Sequence, residues 1–429
     1  MKDRRLPSAV TLALTVLGFG ITLWVFYPGV MTYDARYVYG DIWRHSLGDW
    51  QSPVMGVLWG LVDPIAPGSG SIFLVTAAVY WLGFWTLAFA LLRRSFARAL
   101  LLLLLALMSP AFVLLGVIWR DILFGAAWLL AAALCFSVAE RKGGWRLAAQ
   151  AIALGLIVFG VLLRQNAVIA APLLAAYTIW PERFHWKRVA IFYLPAALGF
   201  YLLIPAVYYG LLDAKRQNPL HSILVYDLGG VTHFARENQF PTTWTPEQTE
   251  KLTSSCYRPT EWNIYWTYEP CDFVMQKLEA EKLFGSPALP KAWVAAVTSH
   301  PLAYLQHRFS FFDNFLWGGE NVALWPRELD DPKQLIYQDR PAFQALVSIH
   351  DALKPTVIFR AGTWLAVSLF LALLAWRRRD EPVGAFMLCV CGSGAIYMLT
   401  FLPVGVASDF RYAYWAVLAS LAGLVTLRA

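Results

Sequence analysis

The sequence predicts an all-α transmembrane bundle of about ten helices with an outward-facing, mixed or mainly helical extracytoplasmic domain. Three observations predict it. Of 429 residues, 58% are hydrophobic and 15% charged, and the mean hydropathy is +0.51, far from the balance of a soluble chain. The apolar residues fall in runs long enough for a hydrocarbon core, which at about 1.5 Å per helical residue needs roughly 20 positions. The connections between runs are alternately rich and poor in Lys and Arg.

The first run, 8–27, follows Lys2, Arg4 and Arg5 as a secretion signal would, but Phe26-Tyr27-Pro28-Gly29 offers no small-residue cleavage pattern, so a retained helix is expected. Residues 28–70 are polar and aromatic-rich and contain Asp34, Asp41, Asp49 and Asp63; inside them 53–65 is apolar and too short to span, as in a helix lying in the interface plane or dipping into it. Runs 71–92, 99–118, 122–139, 147–163, 167–180 and 189–209 come next, 167–180 being short. The segment 210–355 is too long for a simple connection and is expected to fold as a domain resting on the membrane. Within it 301–317 reads as a helix, with Leu302, Leu305, Phe309 and Phe312 at near-helical spacing and Ser299 as its cap. Runs 357–376, 383–402 and 412–427 close the chain, the last one short. The expected modules are therefore 1–209, with about seven helices and the outer loop 28–70, then 210–355, then 356–429 with about three helices.

Basic residues set the expected orientation. One set of loops holds Arg93, Arg94 and Arg98; Arg141, Lys142 and Arg146; Arg183, Lys187 and Arg188; and Arg377, Arg378 and Arg379. By the positive-inside rule both termini are expected in the cytoplasm of a bacterial cell, with 210–355 on the far side of the plasma membrane. The net charge of +7 and pI near 9.1 reflect that topology; no nucleic-acid partner is implied, because the charges form no continuous patch. Cys135, Cys389 and Cys391 fall in apolar runs, whereas Cys256 and Cys271 fall in the oxidising compartment and are expected to pair, the alternative being two unrelated thiols.

No Walker sequence, dinucleotide fingerprint, HExxH, GxSxG or clustered Cys/His set is present, so nucleotide hydrolysis and zinc chemistry are not expected. His221, His233, His300, His307 and His350 stand at no metal-ligand spacing and read as structural. Trp262, Tyr265, Trp266 and Tyr268 fit a sugar-stacking face and an interfacial aromatic belt equally well. The informative residues are charges at the outer ends of helices: Asp34, Asp49, Arg120 with Asp121, Arg164, and Asp409 with Arg411. A charge at bilayer depth costs about 2.5 to 3.5 kcal/mol, so such groups snorkel to water, pair, or serve a cavity. Enzymes outside the cytoplasm lack nucleotide sugars and ATP and must draw an activated group from a lipid. Transfer of a sugar from a polyprenyl phosphate to a hydroxyl needs a carboxylate for the acceptor proton and cations for the departing phosphate.

Several pieces of the chain resemble the GT-C superfamily of membrane glycosyltransferases, and more closely a bacterial group of polytopic proteins related to it. They are Tyr27-Pro28-Gly29-Val30-Met31-Thr32-Tyr33-Asp34, Asp49-Trp50-Gln51-Ser52-Pro53, Ile118-Trp119-Arg120-Asp121, Arg164-Gln165-Asn166-Ala167, His300-Pro301-Leu302-Ala303-Tyr304 and Ser408-Asp409-Phe410-Arg411-Tyr412, in the family's order. One piece departs: relatives read Asp-Trp-His-Pro-Pro where Gln51 and Ser52 stand here, and Gln cannot shuttle a proton at neutral pH. The resemblance implies a GT-C-like bundle, Asp34 as the essential acid, Asp49 as a second carboxylate orienting the acceptor or a metal, and Asp121 in the same site. Charge and depth assign Arg120, Arg164 and Arg411 to the phosphate, with Asp409 and Gln51 beside them. A divalent ion, Mg or Mn, is compatible with two nearby aspartates, and so is none.

The expected function is an inverting transfer of sugar from a polyprenyl-phosphate donor to a lipid- or envelope-linked hydroxyl at the outer face of the plasma membrane, with a glycan or lipid as acceptor and membrane lipid as surroundings. Inversion is inferred from a single base. A flippase or transporter for a lipid-linked saccharide is the main rival, since charges mark transport paths as readily; against it, no pair of interrupted segments marks two repeated halves. A non-catalytic envelope-polymer assembly protein is the third reading.

Overall fold

A computed structural model describes residues 5–319 and 339–427; Lys2, Arg4 and residues 320–338 of the expected outer domain lie outside the described residues. Helix α1 (Arg5–Phe26) leads to α2 (Tyr33–Trp43) and α3 (Pro53–Val62). Then come α4 (Ser69–Leu91), α5 (Phe96–Leu105), α6 (Ser109–Leu115), α7 (Arg120–Val138), α8 (Gly144–Leu163), α9 (Ala171–Ile179) and α10 (Trp186–Pro205). The long middle segment holds α11 (His221–Ala235), α12 (Pro246–Ser254), α13 (Phe273–Ala280), α14 (Ala288–Ser299), α15 (Pro301–Asp313) and α16 (Pro341–Leu353). The chain ends with α17 (Ala361–Ala375), α18 (Pro382–Leu399), the single turn α19 (Phe401–Val404) and α20 (Tyr414–Thr426). Among the described residues there is no strand, only three isolated bridges.

Among the described residues six helical stretches are long and apolar enough to cross a bilayer: Leu6–Phe26, Ser69–Leu91, Arg120–Val138, Gly144–Leu163, Trp186–Leu211 and Pro382–Val404. The pair α5 and α6, bent by 55°, makes a seventh if counted as one crossing. Helices α9, α17 and α20, with 9, 15 and 13 residues, are shorter. These are the features of an α-helical, multi-pass membrane protein. The bend corrects the expectation of a single helix over 99–118, and it has a local cause: Pro110 in the first turn of α6 cannot continue α5. The freed carbonyl of Ala106 instead accepts the Tyr80 hydroxyl of α4 at 2.5 Å.

Close approach and small polar side chains hold the helices together where water cannot help. Trp81 on α4 lies over Gly18 of α1 and donates its indole N–H to Thr22 at 2.9 Å. Ser368 and Ser420 join α17 to α20 at 2.9 Å, and the Trp415 indole reaches Ser393 of α18 at 3.0 Å. Trp128 of α7 fits against α8 only because position 160 is glycine; a Cβ there would stand 2.1 Å from the indole nitrogen.

The basic loops share one end of the bundle. Arg94 pairs with Glu140 at 3.2 Å, Arg146 with Glu182 at 2.6 Å, the Phe184 amide donates to the Arg379 carbonyl at 2.6 Å, and Arg378 donates to the Leu427 carbonyl at 2.9 Å. In the middle segment a buried set joins three helices. Asp227 on α11 accepts from Arg308 at 2.6 Å and from His307 at 3.0 Å, both on α15, and from the Trp293 indole of α14 at 2.7 Å. Burial pushes the His307 imidazole below its usual range, so the neutral ring bridges Asp227 and the Tyr257 hydroxyl. Cys256 and Cys271 are joined by a disulfide. The expected Ser299 cap is corrected: Ser299 ends α14, and His300 precedes α15 with no side-chain cap bond.

Gly160→Ala is expected to lower stability by about 1–3 kcal/mol through overpacking against Trp128. Gly155→Ala on the same helix, where a Cβ meets nothing within 4 Å, should leave it unchanged or slightly raised in thermal denaturation in detergent.

Candidate functional site

Four distant pieces of chain meet at the end of the bundle opposite the basic loops. The strand-like pairing of Val30 with Val117 brings the approach to α2 beside the approach to α7: Val30 donates to the Gly116 carbonyl at 2.8 Å, and Ile118 donates back to Val30 at 2.9 Å. Thr32 then caps α2 and also accepts the Trp119 indole N–H at 3.0 Å. Asp34 therefore lies in the first turn of α2, where the helix dipole favours its charge, and Arg120 and Asp121 open α7. Arg164 follows the last residue of α8, and Asp409 and Arg411 lie in the turn leading into α20.

Arg411 is the centre of the cluster. It donates to Asp34 Oδ2 at 2.8 Å through Nη1 and pairs with Asp409 Oδ2 at 3.1 Å through Nε. Its guanidinium lies over the Trp119 ring at 4.5 Å. Arg164 pairs with Asp121 at 2.5 Å and donates to the Tyr397 hydroxyl at 3.3 Å. The Tyr412 ring lies near both cations, 4.7 Å from Arg164 and 5.2 Å from Arg411. Two arginines thus answer three carboxylates. The third guanidinium, Arg120, has no ion pair or hydrogen bond among the described residues and lines a small, partly open cleft with Asp34, Gln51 and Asp121. Val38, Met55 and Ile118 supply the apolar part of its lining.

Asp34 is held charged yet reachable. Burial works against its ionisation, but the Arg411 guanidinium, and Arg120 behind it, hold the carboxyl below the usual carboxylate range. Gln51 donates to its Oδ1 at 3.1 Å, and 33% of the side chain stays accessible. Asp409 sits differently: burial pushes its carboxyl up to about 6 against the pull of Arg411.

Asp49 is not brought into this cluster. Its carboxylate accepts from the Gln217 amide at 2.6 Å and from the Tyr209 hydroxyl at 2.7 Å, and it is buried at 4% exposure, so both oxygens are committed to the chain that follows α10. Ser52 caps α3 and donates to the Leu162 carbonyl at 2.8 Å. A divalent ion does not fit the donor set, because Asp34, Asp121 and Asp409 each already face an arginine; among the described residues no three His, Cys, Asp or Glu side chains are grouped to hold a metal.

Sequence reasoning missed Trp119, Tyr412 and Tyr397. The first two adjoin charged residues of the pieces quoted above, which is a signal; Tyr397 lies inside an apolar run and gives none. The middle segment also holds the Arg411 turn in place. Arg308 donates to the Gly405 carbonyl at 2.8 Å, the Trp262 amide to Val406 at 2.9 Å, and the Ser408 amide to Thr260 at 2.7 Å. Thr260 and Trp262 belong to the loop closed by the disulfide.

Replacing both Cys256 and Cys271 with Ser is expected to cost about 2–5 kcal/mol and to raise amide hydrogen exchange across 405–411. Unchanged exchange there would separate the disulfide loop from the site. No family model, curated protein or solved structure matches this chain.

Proposed function

We propose that this protein is a membrane glycosyltransferase of GT-C type that moves a sugar from a polyprenyl-phosphate donor to a lipid- or glycan-linked hydroxyl at the outer face of a bacterial plasma membrane. The observation that carries the reading is the pairing, across one cleft, of an accessible ionised carboxylate, Asp34, with an unpaired guanidinium, Arg120. The grouping of the basic loops at the opposite end supports a cytoplasmic position for both termini and an outward one for the cleft and the middle segment. On this reading all ten apolar runs cross, α9, α17 and α20 being sheltered by longer neighbours.

The donor phosphate sits on Arg120, whose planar fork suits two phosphate oxygens, and the first isoprene units lie on Val38, Met55 and Ile118. The acceptor hydroxyl enters beside Asp34. As its oxygen bonds to the anomeric carbon, the bond from that carbon to the phosphate oxygen breaks and its electron pair leaves with the phosphate. The acceptor oxygen becomes strongly acidic as it bonds, so even a carboxylate of low basicity takes the proton. Phosphate needs no general acid to leave. Attack opposite the leaving group inverts the anomeric centre.

Asp34→Asn keeps the shape and the Gln51 contact but removes the base, and transfer from a radiolabelled polyprenyl-phosphate sugar in detergent should fall by about 10²- to 10⁴-fold with folding and insertion retained. Full activity would remove Asp34 as the base. A wild-type protein that moves the lipid across sealed vesicles and transfers nothing in detergent would favour the flippase. Arg411→Gln removes the largest charge that lowers Asp34 while its burial remains, so the carboxyl rises and the acid limb of the residual kcat/KM should move to higher pH.

A further inference from the structure

Helix α15 is built with two polar residues, His307 and Arg308, inside. The side chains turned to the protein are Ala303, His307, Arg308 and Phe311, at 8%, 0%, 2% and 0% exposure. Turned away are Leu302, Leu305 and Phe309, at 75%, 46% and 59%. Their spacing makes one stripe along the helix, with Gln306 and, in the last turn, Asp313 exposed on the same face. A helix at a water-facing surface has the opposite arrangement, and α12 of the same segment shows it, with Glu247 and Glu250 exposed and Leu252 buried. The buried cation of α15 is paired with Asp227 and donates to the Gly405 carbonyl, so it is held inward, away from the stripe.

The stripe runs toward the spanning helices. After α15 the chain turns through Asn314–Gly318, where Phe315 meets Phe401, at the end of the Pro382–Val404 span, at 5.2 Å. Trp317 then lies over Gly362 in the first turn of α17, where a Cβ would stand 2.6 Å from its ring, and remains 51% exposed, as an interfacial tryptophan does. The exposed apolar face is thus continuous with the ends of apolar helices. We propose that α15 is seated in the lipid leaflet on the cleft side of the membrane, with Leu302, Leu305 and Phe309 against acyl chains. The middle segment is then fastened to the bilayer by its own helix as well as by its two flanking ones, and the turn carrying Arg411 inherits that fixed depth through Arg308.

Nitroxide labels at Leu305→Cys and Phe309→Cys, made singly in the full chain in lipid nanodiscs, test this by power saturation; Cys135, Cys389 and Cys391 are buried and should not label. Collision with oxygen should exceed collision with a nickel chelate several-fold at both positions, and the order should reverse for Glu250→Cys. Chelate-dominated collision at 305 and 309 would overturn the proposal, and so would weak collision with both reagents, which means cover by protein. A phospholipid with a diazirine in its acyl chain reads the same surface without any substitution. Adducts within 301–313 are expected alongside those on the exposed residues Ile191, Leu194 and Leu198 of α10; adducts on α10 with none within 301–313 would overturn it.

Discussion

The Arg411 guanidinium, shared between Asp34 and Asp409, ties the start of α2 to the turn before α20 and sets the geometry of the cluster. Asp34 and Arg411 are 377 residues apart, so their contact joins the segment after α1 to the turn before α20. Three carboxylates and three guanidiniums at one end of an apolar bundle are tolerable only because their charges cancel in place. The cancellation is unequal. Arg411 serves two carboxylates, Arg164 is spent on Asp121, and Arg120 is left facing the cleft. On the proposed function, that guanidinium is the cluster's place for an external anion.

The scaffold around the cluster is arranged to hold backbones rather than to bury more charge. The bridge between Val30 and Val117 aligns α2 with α7, Ser52 ties the start of α3 to the end of α8, and the disulfide loop with Arg308 grips the turn before α20. Each device acts on main chain one to four residues from a charged side chain. The aromatic groups Trp119 and Tyr412 then cover the two paired guanidiniums and fix their planes, while Arg120 stays uncovered.

Much of the helical pattern was legible in the sequence, because a run of apolar residues long enough for a bilayer has few alternatives to a helix. Each of the ten runs is helical, but hydropathy alone hid the break at Pro110, which adds apolar character while ending a helix. The candidate site was partly legible. Charges that interrupt apolar sequence are conspicuous, and Asp34, Arg120, Asp121, Arg164, Asp409 and Arg411 stand together. Asp49 looked equivalent on the same criterion, yet its partners Tyr209 and Gln217 lie 160 and 168 residues away and nothing local announces them. The spacing of Leu302, Leu305 and Phe309 marked a helix face, but which face turns inward is decided by Asp227, 80 residues before His307.

The proposed transfer requires Arg120, beside Asp34, to receive a lipid-borne phosphate. The structure of the protein in nanodiscs supplied with a polyprenyl monophosphate decides whether it does. Phosphate density is expected within hydrogen-bond reach of the Arg120 guanidinium, with the isoprenoid leaving over Val38, Met55 and Ile118, and that density should be lost in Arg120→Gln. Phosphate bound at another surface, or a cleft that stays empty while the lipid saturates the protein elsewhere, would contradict it.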